Sequence, residues 1–264
     1  MRSKELSFKT KNGENISAVL DLPIDERPSS YALFAHCFTC SKNLLTVKRI
    51  SDSLTKNGIA VFRFDFTGSG QSEGDFSETN FSSNLRDLED AAEYMNQNYE
   101  APKILIGHSL GGAAVLHSAK NIVSSKAGVT IAAPFEPEQV TQMFQEKKDE
   151  LKAEGQAKVD IGGRDFTIKQ QFIEDIGGRN SVKTVKELDK ALLIFHSPQD
   201  AIVNIDQAAK IYSAAYHPKS FISLDGADHL LRKKQDALYV GEVIASWVKR
   251  YLSPEEKSDL TSSQ

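Results

Sequence analysis

Residues 103–122, KILIGHSLGGAAVLHSAKNI, decide the fold of this chain. An apolar run ends at Gly107, and a helical pattern of apolar residues begins at Ala113. This predicts a buried strand, a sharp turn and a helix, with Ser109 at the apex of the turn. Gly107 and Gly111 lack a Cβ atom, which lets strand and helix pass closely on either side of the serine. The alternative interpretation is a glycine-rich turn with an incidental serine.

Composition limits the classes of protein to which the chain can belong. It has 264 residues, 40% of them hydrophobic, which is enough for one sizeable core. Its net charge of −4 gives no reason to expect a nucleic-acid partner. No apolar run approaches the roughly 20 residues that cross a bilayer, and residues 1–14 lack the apolar core of a signal peptide. We therefore expect a cytoplasmic protein without membrane association.

Eight short segments have the apolar or alternating pattern of β-strands, and helical patterns lie between most of them. The predicted strands are residues 4–9, 15–22, 31–36, 59–64, 104–106, 128–133, 191–196 and 219–224. Helical spacing of apolar residues covers 43–57, 82–98, 204–214 and 230–251, besides the helix after Ser109. The alternation predicts an α/β protein with a mostly parallel sheet and helices on both faces.

Segment 135–187 interrupts this alternation. It is strongly charged, carries two amphipathic stretches, and is long for a connection between two core strands. We interpret it as a helical cap over Ser109; a surface decoration and a contact between subunits are the alternatives. The predicted organisation is a core of residues 1–134 and 188–252, a cap of 135–187 and a polar tail of 253–264.

A serine nucleophile needs a base within hydrogen-bond reach, and the base needs an orienting acid. Ligands of open α/β sheets bind beyond the carboxyl ends of the strands, so the base should follow a late strand. His229 follows the last predicted strand, and Asp200 follows the strand before it. We predict His229 as the base and Asp200 as the acid, although an aspartate there could also begin a helix. Asp225 and Asp228 are rivals for the acid.

The other five histidines are predicted to have structural roles. We expect His36 to shape the loop after its strand, and we expect the His108 side chain to point away from the nucleophile. A strand-end hydrogen bond is expected for His196, and His117 lies within the helix after the turn. His217 precedes the last strand, at the opposite edge of the sheet.

The pattern G-x-S-x-G, followed by Asp200 and then His229, resembles the α/β-hydrolase superfamily over most of the chain. Residues 63–74, RFDFTGSGQSEG, look like the R-x-D-x-x-G-x-G-x-S loop of bacterial hydrolases. Residues 32–42, ALFAHCFTCSK, resemble hydrolases that are fused to, or encoded with, OsmC-type peroxide-resistance domains. The resemblance implies an eight-stranded α/β-hydrolase sheet, and the chemistry requires no metal and no organic cofactor.

An oxyanion hole takes two backbone N–H donors aimed at the developing charge. The residue after the nucleophile, Leu110, should supply one of them. In related hydrolases the loop after the earlier strand reads H-G-x and the residue after the glycine donates, which implies Phe38. Cys37 stands in place of that glycine here, so Cys37 is the alternative donor.

These roles predict a serine esterase that cleaves a small-molecule carboxylic ester through an acyl-enzyme on Ser109. A thioesterase or an acyl-peptidase would use the same three residues, and the sequence does not rank these leaving groups. It also leaves open whether the protein is a homodimer. A hypothesis of a different class rests on Cys37 and Cys40, the only cysteines, which form a C-x-x-C after a strand. They suggest a redox-responsive protein or a regulatory disulfide.

Overall fold

The structure is a computed structural model that describes residues 1–24 and 27–252. At the centre of the protein is an eight-stranded sheet. Its strand order is β1-β2-β4-β3-β5-β6-β9-β10; β2 runs antiparallel to both of its neighbours, and the other pairs are parallel. The prediction of a mostly parallel, eight-stranded sheet is confirmed. The strands are β1 (Arg2–Lys9), β2 (Asn15–Leu22), β3 (Ser30–Ala35), β4 (Ile59–Phe64), β5 (Ile104–His108), β6 (Ala127–Ile131), β7 (Gln156–Asp160), β8 (Asp165–Lys169), β9 (Ala191–His196) and β10 (Lys219–Ser223).

Helices cover both faces of the sheet, as the alternation predicts. Apolar side chains of α2, α3 and α7 pack in the core on one face, and those of α1 and α8 pack in the core on the other. Short 3₁₀ helices cover Phe76–Glu78 and Pro137–Lys147. The α-helices are α1 (Leu45–Lys56), α2 (Phe81–Asn98), α3 (Leu110–Ser118), α4 (Lys148–Glu154), α5 (Gln170–Ile176), α6 (Ser181–Lys186), α7 (Asp206–Ala214) and α8 (Lys234–Leu252).

The central strands are apolar on both sides because both faces of the sheet are covered. In β5, Leu105 packs in the core with α2 and α3, whereas Ile104 and Ile106 pack in the core with α1 and α8. All three side chains are fully buried. This is why the strand reads in the sequence as a continuous apolar run.

The segment between β6 and β9 differs from the predicted helical cap. Besides the 3₁₀ helix and α4 to α6, it contains an antiparallel hairpin of β7 and β8, which turns at Gly162 and Gly163, both with positive φ. The second of the two predicted amphipathic stretches contains Phe166, Ile168 and Phe172. The first two lie in β8 and the third in α5. The prediction of an all-helical segment is therefore wrong, because a short strand followed by a short helix imitated helical spacing.

The last predicted helix starts later in the structure than the sequence indicates. The predicted helix 230–251 begins only at Lys234, after a turn in which Leu231 has a φ of 51°. The predicted polar tail, 253–264, lies outside the described residues. Among the residues that the structure describes, no helix is both long and apolar enough to cross a membrane.

Candidate active site

Ser109 occupies the sharp turn between β5 and α3. Its backbone has φ 53° and ψ −124°, a conformation that a residue with a side chain rarely adopts. Its N–H donates to the carbonyl of Ile131 at 2.8 Å, which anchors the turn to the neighbouring strand. A Cβ atom on Gly107 would lie 2.2 Å from the oxygen of Gly111, and one on Gly111 would lie 2.4 Å from the oxygen of Ala35. The glycines are therefore required by the close approach of strand and helix, as the sequence predicts.

The structure brings the three predicted site residues together. His229 Nε2 lies 3.0 Å from Ser109 Oγ, and His229 Nδ1 lies 2.7 Å from Asp200 Oδ2. The other carboxylate oxygen, Asp200 Oδ1, accepts the N–H groups of Ile202 at 2.8 Å and Val203 at 2.9 Å. Serine, imidazole and carboxylate thus form one hydrogen-bonded chain at the carboxyl ends of β5, β9 and β10.

The carboxyl group of Asp200 stays ionised in this environment. Its burial opposes ionisation, but the hydrogen bonds from His229, Val203 and Ile202 outweigh that effect and hold the pKa of Asp200 below its usual value of 3.8. An ionised carboxylate can only accept a hydrogen bond, so it selects the tautomer with the proton on Nδ1 of His229. The lone pair on Nε2 then faces the hydroxyl of Ser109.

The rival carboxylates have other partners. Asp225 accepts the hydroxyl of Ser223 at 2.6 Å, and Asp228 accepts the N–H of Arg232 at 2.9 Å. Both stabilise the loop that carries His229. The carboxylate on the imidazole is that of Asp200, as predicted.

The side chain of His108 contacts the loop that carries the proposed base, which the sequence does not predict. Its ring lies 5.2 Å from the ring of His229, and its Nε2 donates to the His229 carbonyl at 2.7 Å. Burial lowers the pKa of His108 to about 3, so the ring is neutral near pH 7. His108 therefore holds the backbone of the proposed base in place.

Three of the remaining histidines, His36, His196 and His117, have structural roles, as expected. His36 Nδ1 donates to the carbonyl of Cys37 at 2.8 Å and shapes the loop after β3, and burial lowers its pKa. His196 Nε2 donates to the carbonyl of Val203 at 2.8 Å. His117 is half-buried, with its ring edge-on to Phe81.

Two hydrogen bonds join the loop of Asp200 to the loop of His229, and the sequence predicts neither of them. The hydroxyl of Ser197 donates to the carbonyl of Ala227 at 2.7 Å, and Oε1 of Gln199 accepts the N–H of Gly226 at 2.7 Å. Each bond connects the loop after β9 to the loop after β10. They limit movement of His229 relative to Asp200. No local sequence signal indicates such a contact, because the partners are about thirty positions apart.

The loop after β3 carries the proposed oxyanion donor. Phe38 and Leu110 border the same small cavity, because Gly111 lets the start of α3 lie directly against the end of β3. A disulfide joins Cys37 and Cys40, with their Cα atoms 5.2 Å apart, and so closes a small ring around Phe38. The assignment of Phe38 or Cys37 as donor stays a prediction.

Two buried ion pairs lie next to the loop after β3. They explain why the 63–74 motif contains Arg63 and Asp65. Lys42 Nζ lies 2.5 Å from Asp65 Oδ2, and Arg63 Nε lies 2.6 Å from Asp21 Oδ2; each cation is paired, as burial requires. Arg63 also donates to the carbonyl of Lys42 at 2.6 Å. A Cβ atom on Gly70 would lie 2.3 Å from the Asp65 carboxylate. The motif thus anchors Lys42, which ends the proposed oxyanion loop.

Two cavities open beside Ser109, one of about 630 Å³ and one of about 270 Å³. Both are bordered by Ser109, Val140, Met143, Ala201 and Ile202. The segment between β6 and β9 supplies Val140 and Met143, so it borders the site where a cap is expected. No cluster of His, Cys, Asp or Glu within residues 1–24 and 27–252 has the arrangement of a metal site.

Comparison with known proteins agrees with this geometry. Residues 41–161 match the family model described as serine aminopeptidase, S33. The crystal structure of the esterase domain from a Rhodothermus marinus protein is 47% identical; the match covers 96% of this chain and 100% of that chain, with a TM-score of 0.79. The chain belongs to the α/β-hydrolase superfamily. The match to a hydrolase family model and the likeness to an esterase domain indicate that it is a hydrolase.

More distant α/β-hydrolases show how widely this fold is shared. Est1E from Butyrivibrio proteoclasticus, solved with ferulic acid bound, is 18% identical, with a TM-score of 0.77 over 94% of this chain and 100% of that chain. The mouse mitochondrial palmitoyl-protein thioesterase ABHD10 is 24% identical over 212 residues, which cover 77% of this chain and 70% of that protein. The first similarity shows the fold alone. Membership of the OsmC-linked subgroup stays a prediction.

Proposed function

We propose that the protein is a serine carboxylesterase that acts on small-molecule esters. The observation that carries the proposal is the hydrogen-bonded chain from Asp200 through His229 to Ser109. Ser109, at the end of this chain, borders both cavities. Their volumes, about 630 and 270 Å³, are in the range of small-molecule sites. The 47% identity to an esterase domain supports ester cleavage.

The proposed mechanism uses Ser109, His229 and Asp200 in both acylation and deacylation. His229 Nε2 takes the proton of Ser109 Oγ as the oxygen attacks the ester carbonyl, and Asp200 stabilises the resulting imidazolium. The N–H groups of Leu110 and Phe38 donate hydrogen bonds to the negatively charged oxygen of the tetrahedral intermediate. His229 then protonates the departing oxygen, and water hydrolyses the acyl-enzyme by the same route. Each oxyanion donor is expected to contribute about 3 kcal/mol.

The leaving atom of the substrate, which is oxygen in an ester, sulfur in a thioester and nitrogen in an amide, distinguishes an esterase from the alternative hydrolases. A thioesterase is named among the relatives, and the matching family model is named for an aminopeptidase. We expect p-nitrophenyl butyrate to be hydrolysed with the highest kcat/KM, then a butyryl thioester. The butyryl p-nitroanilide should react at least about a hundredfold more slowly, a barrier difference of roughly 2.7 kcal/mol. A thioester or anilide that exceeds the ester in kcat/KM would replace the esterase assignment by the corresponding alternative.

The disulfide supports a second candidate, a hydrolase whose activity depends on redox state. The bond between Cys37 and Cys40 encloses Phe38, so its reduction to two thiols by a dithiol, with oxidation of that dithiol, would free the proposed oxyanion loop. In the cytoplasm, where the sequence analysis places the protein, cellular thiols would act on this bond. A primary redox function is not needed to explain the site.

We expect reduction of this disulfide to lower kcat by about tenfold, less than the loss of a whole oxyanion donor. The measurement is a thiol titration alongside p-nitrophenyl butyrate hydrolysis, with and without dithiothreitol. A variant with Cys37→Ala and Cys40→Ala serves as the control, because its activity should not respond to the reductant. Full wild-type activity with two titratable thiols would show that the disulfide has no regulatory effect.

A further inference from the structure

The two cavities beside Ser109 differ in which catalytic group borders them. Among the described residues, His229 borders the larger cavity and not the smaller, whereas Leu110 and Pro134 border only the smaller. The imidazole has to protonate the leaving oxygen, which must therefore lie within hydrogen-bond reach of Nε2. The leaving-group half of a substrate then occupies the larger cavity, and the acyl half occupies the smaller.

The charges around the two cavities are also unequal. The side chains that border the smaller cavity include no charged residue, whereas Arg164, Arg232 and Asp228 border the larger. Two positive charges and one negative charge leave a net charge of +1 on the leaving-group side. Charge of one sign around a cavity favours ligands of the opposite sign.

Arg164 is exposed, as Arg232 is, but two contacts fix the position of its guanidinium. It lies at the turn between β7 and β8, where its guanidinium donates to the carbonyl of Thr39 and lies 5.4 Å from the ring centre of Phe166. Within the described part of the chain, no carboxylate forms an ion pair with it. These contacts hold the guanidinium at the cavity, while its charge is not neutralised by an acidic side chain.

Arg232 is partly neutralised. Its Nε lies 3.7 Å from Asp228 Oδ2, and its side chain is 76% exposed, so water screens this pair. Arg232 lies three residues after His229, in the same loop. Its charge therefore adds to that of Arg164 at the mouth of the larger cavity.

We propose that the larger cavity receives the leaving-group half of the ester and that Arg164 and Arg232 select a leaving group with a negative charge. The proposal rests on the proposed esterase function and names the substrate class of that site. The substrate is an ester with an uncharged acyl group and an anionic alcohol or phenol. After cleavage, the anionic product leaves through the side of the cavity where both arginines lie.

The test compares two butyrate esters of nearly equal size, 4-carboxyphenyl butyrate and 4-carbamoylphenyl butyrate. The measured quantity is the ratio of their kcat/KM values, because intrinsic reactivity cancels when this ratio is compared between variants. We expect Arg164→Gln to lower the ratio about fivefold and Arg232→Gln to lower it about twofold, the range for a single partly exposed charge. Arg164→Lys should retain most of the ratio. High salt should lower it in the wild-type protein.

Two controls make the result specific to the leaving-group side. Arg27→Gln removes an exposed arginine before β3, at the opposite ends of the strands, and should leave the ratio unchanged. The second control is the ratio of monophenyl succinate, which carries its charge on the acyl half, to phenyl butyrate. This ratio should not respond to Arg164→Gln or Arg232→Gln.

Three outcomes would overturn the inference. The leaving-group ratio could stay the same in the double Arg164→Gln and Arg232→Gln variant, or the succinate ratio could change instead, which would reverse the assignment of the cavities. Hydrolysis of the neutral esters would persist in both cases, so the proposed function would survive. If the wild-type protein cleaves no ester and reacts with no fluorophosphonate, the proposed function and this inference fail together.

Discussion

Replacing Ser109 with alanine is expected to abolish ester hydrolysis, with a fall in kcat of about 10⁴ to 10⁶. The hydroxyl is the only group in the proposed mechanism that forms a covalent bond to the substrate, and the 3.0 Å hydrogen bond to His229 would be lost with it. The backbone of the turn should persist, because the N–H of residue 109 still donates to Ile131. The measurements are hydrolysis of p-nitrophenyl butyrate and labelling by a fluorophosphonate probe, followed by mass spectrometry.

The matched control for this variant is Ser124→Ala. Ser124 borders neither cavity beside Ser109, and its hydroxyl donates to the carbonyl of Pro102 at 2.8 Å. It should label and turn over like the wild-type protein. Circular dichroism of both variants checks that the fold is intact. Labelling and turnover of the Ser109→Ala protein at wild-type rates would refute the assignment of the nucleophile.

Asp200→Asn is expected to lower kcat by about 10⁴ while preserving the fold. Asparagine can keep the Oδ1 contacts to the N–H groups of Ile202 and Val203. Its amide nitrogen would then replace the oxygen that lies 2.7 Å from His229 Nδ1. An amide donates where the carboxylate accepted, so the imidazole would carry its proton on Nε2 and could not accept the proton of Ser109.

The readout that separates this effect from a structural one is the division between kcat and KM. Loss of the His229 tautomer that carries its proton on Nδ1 should lower kcat. KM should change little, because Asp200 borders neither cavity. Asp225→Asn, in the loop of His229, is the matched control, and its kcat should fall less than threefold because its partner is the exposed Ser223. A larger loss in Asp225→Asn than in Asp200→Asn would show that the acid has been assigned to the wrong loop.

Local sequence determined the turn at Ser109 and the positions of the central strands along the chain. Gly107, Ser109 and Gly111 are close in sequence, and the steric demand for glycine there is a property of the turn itself. The apolar runs of the central strands could be identified because both faces of the sheet are buried, which leaves no polar alternation to obscure them. The positions of Asp200 and His229 followed from a general rule, that ligands bind beyond the carboxyl ends of parallel strands.

The hairpin in the segment between β6 and β9 was missed for a different reason. Its strands, QAKVD and DFTIK, have only five residues each, but both alternate polar and apolar side chains around Gly162 and Gly163. The helical spacing from Ile168 to Phe172 across the end of β8 obscured that signal. His108 shows a limit of another kind. Its ring contacts a carbonyl 121 positions away, and no residue near it in the sequence indicates that partner.

The sequence by itself determined that this protein has a serine on a sharp turn, with a histidine and an aspartate at the same edge of a mostly parallel sheet, because turn sterics and the apolar runs of the strands are encoded by neighbouring residues. Only the tertiary structure decided that the three side chains meet at 2.7 and 3.0 Å, that Arg164 reaches the cavity, and that Lys42 and Asp65 pair beneath the loop of Phe38. Those distances depend on packing between segments far apart in the chain, which burial of the two cores fixes and local sequence patterns do not describe.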